Sequence, residues 1–254
     1  MPQQDRKYAT QKVGKTVLVE LATVEPGYDE SFNRWSNEER LPEQLALPGC
    51  VSSRRVKLYD GEGKGRGALQ YLCMWQLTSP EALTTPKALS GHSVQNNQYM
   101  TIREHVTDSL EGIYTQIYPL EGAFERYASP TVRQASLAEQ CVGGALLVAW
   151  MEVEAEWDEV FNRWYNDEHL PEQLTIPGWI GARRFKLCSD WGTGMLRYMC
   201  VWELESREAL SSPEADAARK RPKSKLSKLA HDHITNQCRG LYQQIYFLEG
   251  RSLK

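Results

Sequence analysis

Alternating and continuous apolar segments predict four β-strands in the first half of the chain. The β-branched run TVLVELATV at residues 16–24 is typical of a first strand, and the alternating segment at residues 51–59 is typical of a second. Residues 69–77 and 112–120 are predicted as the third and fourth strands. The glycine-rich segment DGEGKGRG lies between the second and third strands, where it indicates a hairpin loop.

Helical spacing appears after the first strand. A helix is predicted from about Asp29, because Phe32 and Trp35 stand three residues apart with charged residues between them. Pro42, and then the Pro-Gly pair at Pro48, are expected to end this helical region in steps, since proline inside a helix removes a backbone hydrogen bond.

A second helical region is predicted to begin at Pro80, in the first turn, where a missing N–H costs least. Residues 91–108 are polar and are expected to be irregular. The resulting order β-α-β-β-α-β is the ferredoxin-like arrangement, an α+β fold whose antiparallel sheet carries helices on one face only. The other face of such a sheet is apolar and needs a partner.

The second half of the chain repeats the first. Residues 158–187 align on residues 29–58 without a gap, with nineteen identities in thirty positions. The segment GIYTQIYPLEG also recurs near the end of the chain as GLYQQIYFLEG. We therefore predict a first ferredoxin-like repeat at residues 1–122, a linker at residues 123–142 and a second repeat at residues 143–254. The two repeats are expected to cover each other's bare sheet faces and so form an intramolecular α/β barrel.

Composition and charge narrow the classes of function. The chain has 254 residues, of which 41% are hydrophobic and 25% charged, so it can build two small cores or one shared core. Its net charge of −3 gives no reason to expect a nucleic-acid partner. The apolar run at residues 145–150 is too short to cross a membrane, so a cytoplasmic protein without a membrane partner is expected. The six cysteines form no CxxC pair, and we predict that they are reduced, with neither a metal nor another cofactor bound.

The motif F-N-x-W-x-N-x-E-H/R-L-P-E-x-L-x-x-P-G, followed by a strand with paired arginines, occurs once in each half. It resembles the EthD-like members of the dimeric α/β-barrel superfamily. The resemblance implies two ferredoxin-like sheets that face each other, with an active site in the cavity between sheet and helices. Members of the superfamily include polyketide cyclases, cofactor-free monooxygenases and haem enzymes. Function therefore has to be argued from the site itself.

Differences between the two copies indicate where chemistry is carried out. Ser36 is replaced by Tyr165 and Arg40 by His169, on one face of an otherwise similar helix. We predict that the second repeat carries the active site, with His169 as the acid–base group and Tyr165 as a donor to a developing oxyanion. The resemblance supports this pair, because relatives often place a histidine and a tyrosine in the cavity. The alternative is that His169 only caps the end of the helix.

Further side chains of the second repeat are predicted to bind substrate. Arg183 could hold an enolate or carboxylate in a paired contact, although its counterpart Arg54 also allows a structural ion pair with a helix carboxylate. Trp179, on the same strand, and Phe161, on the helix, are predicted to contact the substrate as well.

The last strand and the residues before it complete the predicted site. Tyr242 and Tyr246 are expected to share one face of the strand. That face would form either the wall of a cavity or a sheet interface that is partly exposed to water. His231 and His233 could ligate a metal, but no third ligand stands at a telling spacing, so no metal site is predicted. His233 is instead predicted to be a second acid–base group at the cavity mouth.

The prediction from the sequence is a cofactor-independent acid–base enzyme of the lyase, cyclase or isomerase type. Its expected partner is a small, largely apolar, oxygenated molecule, and a homodimer is left open. A first alternative is a haem- or dioxygen-using barrel enzyme, in which His169 or His233 would be the axial ligand. A second alternative is a small-ligand-binding protein without turnover.

Overall fold

The computed structural model describes residues 10–84, 97–119 and 139–249. The predicted linker at residues 123–142 lies outside the described residues up to position 138. The ten strands, numbered in chain order, are β1 (Thr10–Lys12), β2 (Thr16–Val24), β3 (Cys50–Lys64), β4 (Tyr71–Leu77), β5 (Val106–Tyr118), β6 (Glu139–Cys141), β7 (Ala145–Val153), β8 (Trp179–Thr193), β9 (Tyr198–Leu204) and β10 (Ile234–Glu249).

Eight of these strands form a closed antiparallel barrel in the order β10-β3-β4-β2-β5-β8-β9-β7, and β1 pairs with β6 in a separate small sheet. The first half of the chain supplies β3-β4-β2-β5 and the second half supplies β8-β9-β7-β10, each as four adjacent strands. The halves meet where β5 pairs with β8 and where β10 pairs with β3. The barrel therefore closes within one chain, and the protein is an α+β fold with a closed eight-strand barrel.

Short helical segments cover the outer face of each half. In the first half they are Asp29–Trp35, the π turn Ser36–Arg40, Leu41–Leu45, the 3₁₀ turn Pro80–Thr84 and Asn97–Glu104. In the second half they are Ala155–Trp157, Asp158–Trp164, the π turn Tyr165–His169, Leu170–Gln173, Arg207–Ser211, Pro213–Arg219 and Lys225–Asp232. In the described part of the chain, no helix has the length and apolar character needed to cross a membrane.

Two predictions about the helices were wrong. Pro42 does not end the first helical region, which continues to Leu45. The proline stands in the first turn that follows the π turn, where a missing N–H is tolerated. The part of residues 91–108 that is described contains the helix Asn97–Glu104 instead of an irregular segment.

The alternation of side chains along the strands divides the core into an inner and an outer part. Val17 and Val19 of β2 belong to the cluster inside the barrel, whereas Leu18 packs outside, against Leu41 and Leu45 of the helical region. The inner cluster draws residues from both halves. The two halves therefore share one inner core, and each half has its own outer core.

A buried ion pair joins the two halves inside the barrel. The guanidinium of Arg54 on β3 donates to Glu203 on β9 over 2.6 Å, and each side chain is 1% exposed. The second oxygen of Glu203 accepts the backbone N–H of Gly143 over 2.9 Å. A close approach requires glycine here, because a Cβ at position 143 would lie 1.9 Å from the carbonyl oxygen of Leu204. The pair therefore fixes both the strands and the entry to β7.

Arg183 is the counterpart of Arg54 and has different partners. Its Nε donates to Gln116 over 2.7 Å, and its other nitrogens donate to Gln76 over 3.3 Å and to the carbonyl oxygen of Gly14 over 2.6 Å. Burial lowers the pKa of Arg183 to about 9. The side chain points into the barrel beside Phe185, away from the helices, so these contacts are not the predicted ion pair with a helix carboxylate.

Exchanging the two acceptors tests the electrostatic role of this network. Glu203→Gln gives Arg54 an amide partner like that of Arg183, and we expect the free energy of unfolding to fall by about 3 kcal/mol, because a buried guanidinium loses its carboxylate. Gln76→Glu gives Arg183 a carboxylate, and we expect a gain of about 1 kcal/mol. Urea unfolding measures both changes. Equal free energies of unfolding for wild type and the two variants would contradict the electrostatic role of the network.

Candidate functional site

Polar side chains of the repeated motif fasten the first helix of each half to the sheet. In the second half, the carboxylate of Asp158 accepts a hydrogen bond from the Tyr198 hydroxyl over 2.6 Å. The guanidinium of Arg184 donates to Asn162 over 2.8 Å and to Asn166 over 2.5 Å. Aspartate and both asparagines are therefore needed to hold the helix in place.

The same clamp is present in the first half. Lys57 donates to Asp29 over 2.9 Å, and this hydrogen bond lowers the pKa of the aspartate. Arg55 donates to Asn33 over 2.9 Å and to Asn37 over 2.5 Å. Since the clamp is alike in both halves, the residues that differ between the halves are the better candidates for a specific function.

The two residues singled out on the helix of the second half do lie together. The rings of Tyr165 and His169 meet edge to face with centroids 4.8 Å apart, as their four-residue spacing predicts. His169 also stacks on Trp164 at 4.8 Å and meets Trp202 edge-on at 5.7 Å. Tyr165 is 2% exposed and His169 is partly buried. These side chains form a closely packed aromatic cluster.

The surroundings of His169 keep its ring neutral. Burial, followed by the positive charges of His231 and Arg184, lowers the pKa of His169 from 6.5 to about 3. A neutral imidazole with this pKa is a weak base at pH 7 and lacks the second, acidic ring proton of the imidazolium form. His231, which was not among the predicted site residues, meets Trp164 edge-on at 4.6 Å. The sequence could have identified His231, because its counterpart in the first half is Arg103 and the two halves therefore differ at this position.

The other predicted residues of the second half are divided between two places. Trp179 and Phe161 join the aromatic cluster, where Trp179 meets Trp202 edge-on at 5.1 Å. His233 stacks on Trp157 at 3.7 Å, and its Nδ1 lies 2.9 Å from Glu154.

The contacts of His233 recur in the first half. There His105 stacks on Tyr28 at 3.4 Å, and its Nδ1 lies 2.9 Å from Glu25. The arrangement is thus common to both halves. The acid–base role assigned to His233 stays a prediction.

Tyr242 and Tyr246 do not share a face, so this prediction was wrong. Tyr242 belongs to the inner cluster, and its buried hydroxyl has no hydrogen-bond partner among the described residues. Tyr246 packs against the outer cluster of the first half. The pairing of β10 with β3 shifts register between Gln244 and Tyr246, and one extra residue inverts the alternation of side chains.

A cavity of about 700 Å³ lies in the first half, between the outer face of the sheet and the helices. This volume is within the roughly 300–1,000 Å³ of small-molecule sites. Its aromatic lining comprises Phe32, Trp35, Tyr71 and Trp75. Its polar lining includes Glu20, Ser36, Arg40, Arg55 and Cys73.

A carboxylate with two donors stands in this cavity. Glu20 forms a salt bridge with Arg40 through one oxygen, and its other oxygen accepts the indole N–H of Trp75 over 2.7 Å. The side chains of Glu20 and Arg40 are 19% and 24% exposed, so both remain accessible. Their counterparts in the second half are Ala149 and His169. The carboxylate–guanidinium pair therefore belongs to the first half alone.

A smaller cavity of about 340 Å³ is lined by residues of both halves, among them Leu110, Trp150 and Cys238. Burial raises the pKa of the Cys238 thiol to about 11. The thiol is therefore protonated at neutral pH and is a weak nucleophile. The larger cavity is lined by a carboxylate and a guanidinium that form a salt bridge with each other, Glu20 and Arg40, and we take it as the candidate functional site.

The low pKa of His169 predicts a pH-dependent stability. Between pH 6.5 and about 3 the unfolded chain binds a proton that the folded chain does not, so stability falls with decreasing pH. We expect a loss of up to about 1.4 kcal/mol per pH unit, which His169→Phe should remove. Urea unfolding between pH 6.5 and 5 measures the slope, with Tyr165→Phe as a control that retains it. A slope shared by wild type and His169→Phe would contradict the burial of a neutral imidazole.

Comparison with known proteins identifies the fold. The sequence matches no protein-family profile and no curated protein. The structure is similar to that of an anthrone oxidase-like protein, with a TM-score of 0.64, 15% identity, and coverage of 96% of this chain and 98% of the other. A monooxygenase-like protein from Lactobacillus acidophilus gives a TM-score of 0.51 at 10% identity, covering 92% and 96% of the two chains. A chlorite dismutase-like protein gives 0.52 at 16% identity, also covering 92% and 96%. At these identities the similarity shows that the chain shares the fold of these proteins.

Proposed function

We propose that the protein is an enzyme that removes a proton from a small, largely apolar, oxygenated molecule in the cavity of the first half. The observation that carries this proposal is the Glu20 carboxylate, which stands in a cavity lined in part by aromatic side chains, with a guanidinium and an indole N–H as its donors. No comparable carboxylate is present at position 149 in the other half, so the fold alone does not require it.

The geometry suits Glu20 for the role of general base. Arg40 and Trp75 each engage one carboxylate oxygen, which fixes the plane of the group without using all of its lone pairs. A positioned carboxylate can accept a proton from a carbon or a hydroxyl group next to a carbonyl or an aromatic ring. The positive charge of Arg40 then lies close enough to stabilise the anion that forms.

The anion defines a class of reaction. An enolate or phenolate can give up electrons to dioxygen, and the names of the similar structures, anthrone oxidase-like and monooxygenase-like, support oxidation as the outcome. For an anthrone, loss of two hydrogens and gain of one oxygen atom yields a quinone, while the second oxygen atom leaves as water. Cyclisation or isomerisation would begin with the same proton removal. In this proposal no bound cofactor is needed.

Haem is implied by some members of the superfamily but does not fit the donors shown here. The described residues that line the cavity include no histidine. Burial raises the pKa of the Cys73 thiol to about 12, and the hydroxyl of Tyr71 is engaged by Asn33 over 3.0 Å. His169 stacks within the aromatic cluster of the other half. The proposed reaction therefore does not involve haem.

We further infer that the two halves are tandem EthD-like, ferredoxin-like repeats. Their equal strand order and the nineteen identities in thirty positions support this. In this proposal, Tyr165 and His169 belong to a repeat whose outer core is filled, and their catalytic role stays a prediction. The site is built from the first half of one chain, so a homodimer is not needed to complete it.

Removal of the carboxylate tests the proposal. With anthrone as the probe, we expect wild type to accelerate oxygen uptake and Glu20→Gln to lower the rate by roughly 10²–10⁴-fold, while the affinity for anthrone is retained. The matched control Glu25→Gln changes a carboxylate that contacts His105 outside the cavity lining and should leave the rate unchanged.

A second readout separates proton removal from oxidation. Under nitrogen, NMR of anthrone in heavy water should show faster deuterium exchange at its methylene carbon with wild type than with Glu20→Gln. If Glu20→Gln retained both the rate of oxygen uptake and the rate of exchange, the general-base role would be excluded. Binding of anthrone without either reaction would favour a binding protein without turnover.

A further inference from the structure

The second half of the chain shows how a phenol ring fits into this fold. The ring of Tyr165 meets Phe161 edge-on at 5.6 Å and Trp164 edge-on at 5.3 Å. The guanidinium of Arg184 lies over its face at 4.3 Å, and the ring of Trp202 is 6.4 Å away. A para-substituted phenol is thus enclosed by aromatic edges, with a cation on one face.

The same surroundings exist in the first half without the phenol. The counterparts of the residues around Tyr165 all line the 700 Å³ cavity, and they are Phe32, Trp35, Arg40, Arg55, Cys73 and Trp75. The counterpart of Tyr165 itself is Ser36, which also lines the cavity. Tyr165 has a six-membered ring with a hydroxyl, whereas Ser36 has only a hydroxyl. The space that the phenol fills in the second half is therefore available in the first.

We infer that the cavity of the first half binds a hydroxylated aromatic ring in the position that Tyr165 takes in the second half, with Arg55 over the face of the ring. The inference rests on the proposed function, in which this cavity is the active site. Ser36 is then the residue that determines specificity, because its small side chain leaves room for the ring of the ligand.

The template also places the hydroxyl group of the ligand. In the second half the Tyr165 side chain lies beside the indole of Trp202 and the thiol of Cys200. In the first half, the corresponding residue Trp75 donates a hydrogen bond from its indole N–H to the carboxylate of Glu20. A phenol seated like Tyr165 therefore brings its hydroxyl next to the carboxylate.

The proximity has a chemical consequence. The carboxylate of Glu20 can accept the phenolic proton, and Arg40, which is already paired with that carboxylate, faces the phenolate. Ala149 supplies no acceptor at the matching position of the second half. The phenol of Tyr165 is therefore held in its neutral form there, and burial raises its pKa well above the usual value.

p-Cresol, the side chain of tyrosine as a free molecule, is the probe for this inference. We expect it to bind wild type and Ser36→Ala, and to bind Ser36→Tyr at least about 100-fold more weakly in calorimetry, because the new ring fills the cavity. Toluene, which lacks the hydroxyl, should bind more weakly than p-cresol. Undiminished binding of p-cresol to a folded Ser36→Tyr would overturn the inference.

A measurement on wild type keeps the test independent of the fold of a variant. Nuclear Overhauser effects should connect the ring protons of bound p-cresol with the indoles of Trp35 and Trp75. Effects that connect it only with residues of the smaller cavity, such as Trp150, would overturn the inference as well.

The reverse change in the second half tests the template. Tyr165→Gly empties the place of the ring, and we expect its unfolding midpoint to fall by roughly 5–15 °C. Millimolar p-cresol should restore part of this loss, and should raise the midpoint of the variant more than that of wild type. No rescue by p-cresol, with the variant folded, would show that the aromatic surroundings do not themselves recognise a phenol.

The outcomes for ligand class and for catalysis are distinct. If p-cresol binds as expected but Glu20→Gln leaves the turnover of anthrone unchanged, the ligand inference stands and the proposed function fails. If Glu20→Gln abolishes turnover while p-cresol does not bind and Ser36→Tyr remains active, the proposed function stands and the ligand inference fails.

Discussion

Closure of the barrel is the constraint on which the rest of this structure depends. Each half has an apolar sheet face that would be exposed alone, and the two faces meet to form one inner core. Within that core, Arg54 reaches Glu203 across the boundary between the halves, and Arg183 reaches Gln76 in the opposite direction. Side chains and these polar contacts occupy much of the interior, whereas the cavity of about 700 Å³ lies outside the barrel, between sheet and helices.

Much of the architecture was predictable because it follows from local patterns. The apolar periodicity located the strands, and the four-residue spacing of Tyr165 and His169 placed their rings in contact. The bulge before Tyr246 was not predictable, since a register shift is fixed by pairing with another strand and leaves no trace in the alternation itself. The candidate site was missed for another reason. The differences on the helix favour the aromatic residues of the second half, whereas the difference that carries the proposed site is a single carboxylate, Glu20, within an apolar strand.

The two halves of the chain contain one filled and one open version of a similar outer core. In the second half, the ring of Tyr165 packs against its neighbours and contributes to stability through burial and aromatic contacts. In the first half, Ser36 forgoes that stabilisation, and its small side chain leaves part of the cavity open. Loss of packing at one place in an otherwise repeated core is the kind of local departure that function requires. The filled half can supply stability for the whole barrel, since both halves contribute to the same inner core.

Two carboxylate–guanidinium pairs of the protein, Arg54 with Glu203 and Arg40 with Glu20, differ in a way that matches their roles. Arg54 and Glu203 are each 1% exposed, so removing either charge takes a directly bonded counter-charge from the other, which stays buried. Arg40 and Glu20 are 24% and 19% exposed and border the cavity, so their pairing can change when a ligand enters. Transfer of a phenolic proton to Glu20 neutralises the carboxylate and creates a phenolate beside the same guanidinium. The number of charges in the cavity is unchanged by this step, and Arg40 keeps an anionic partner throughout. The more exposed pair is therefore the one that can stabilise a developing anion at little electrostatic cost.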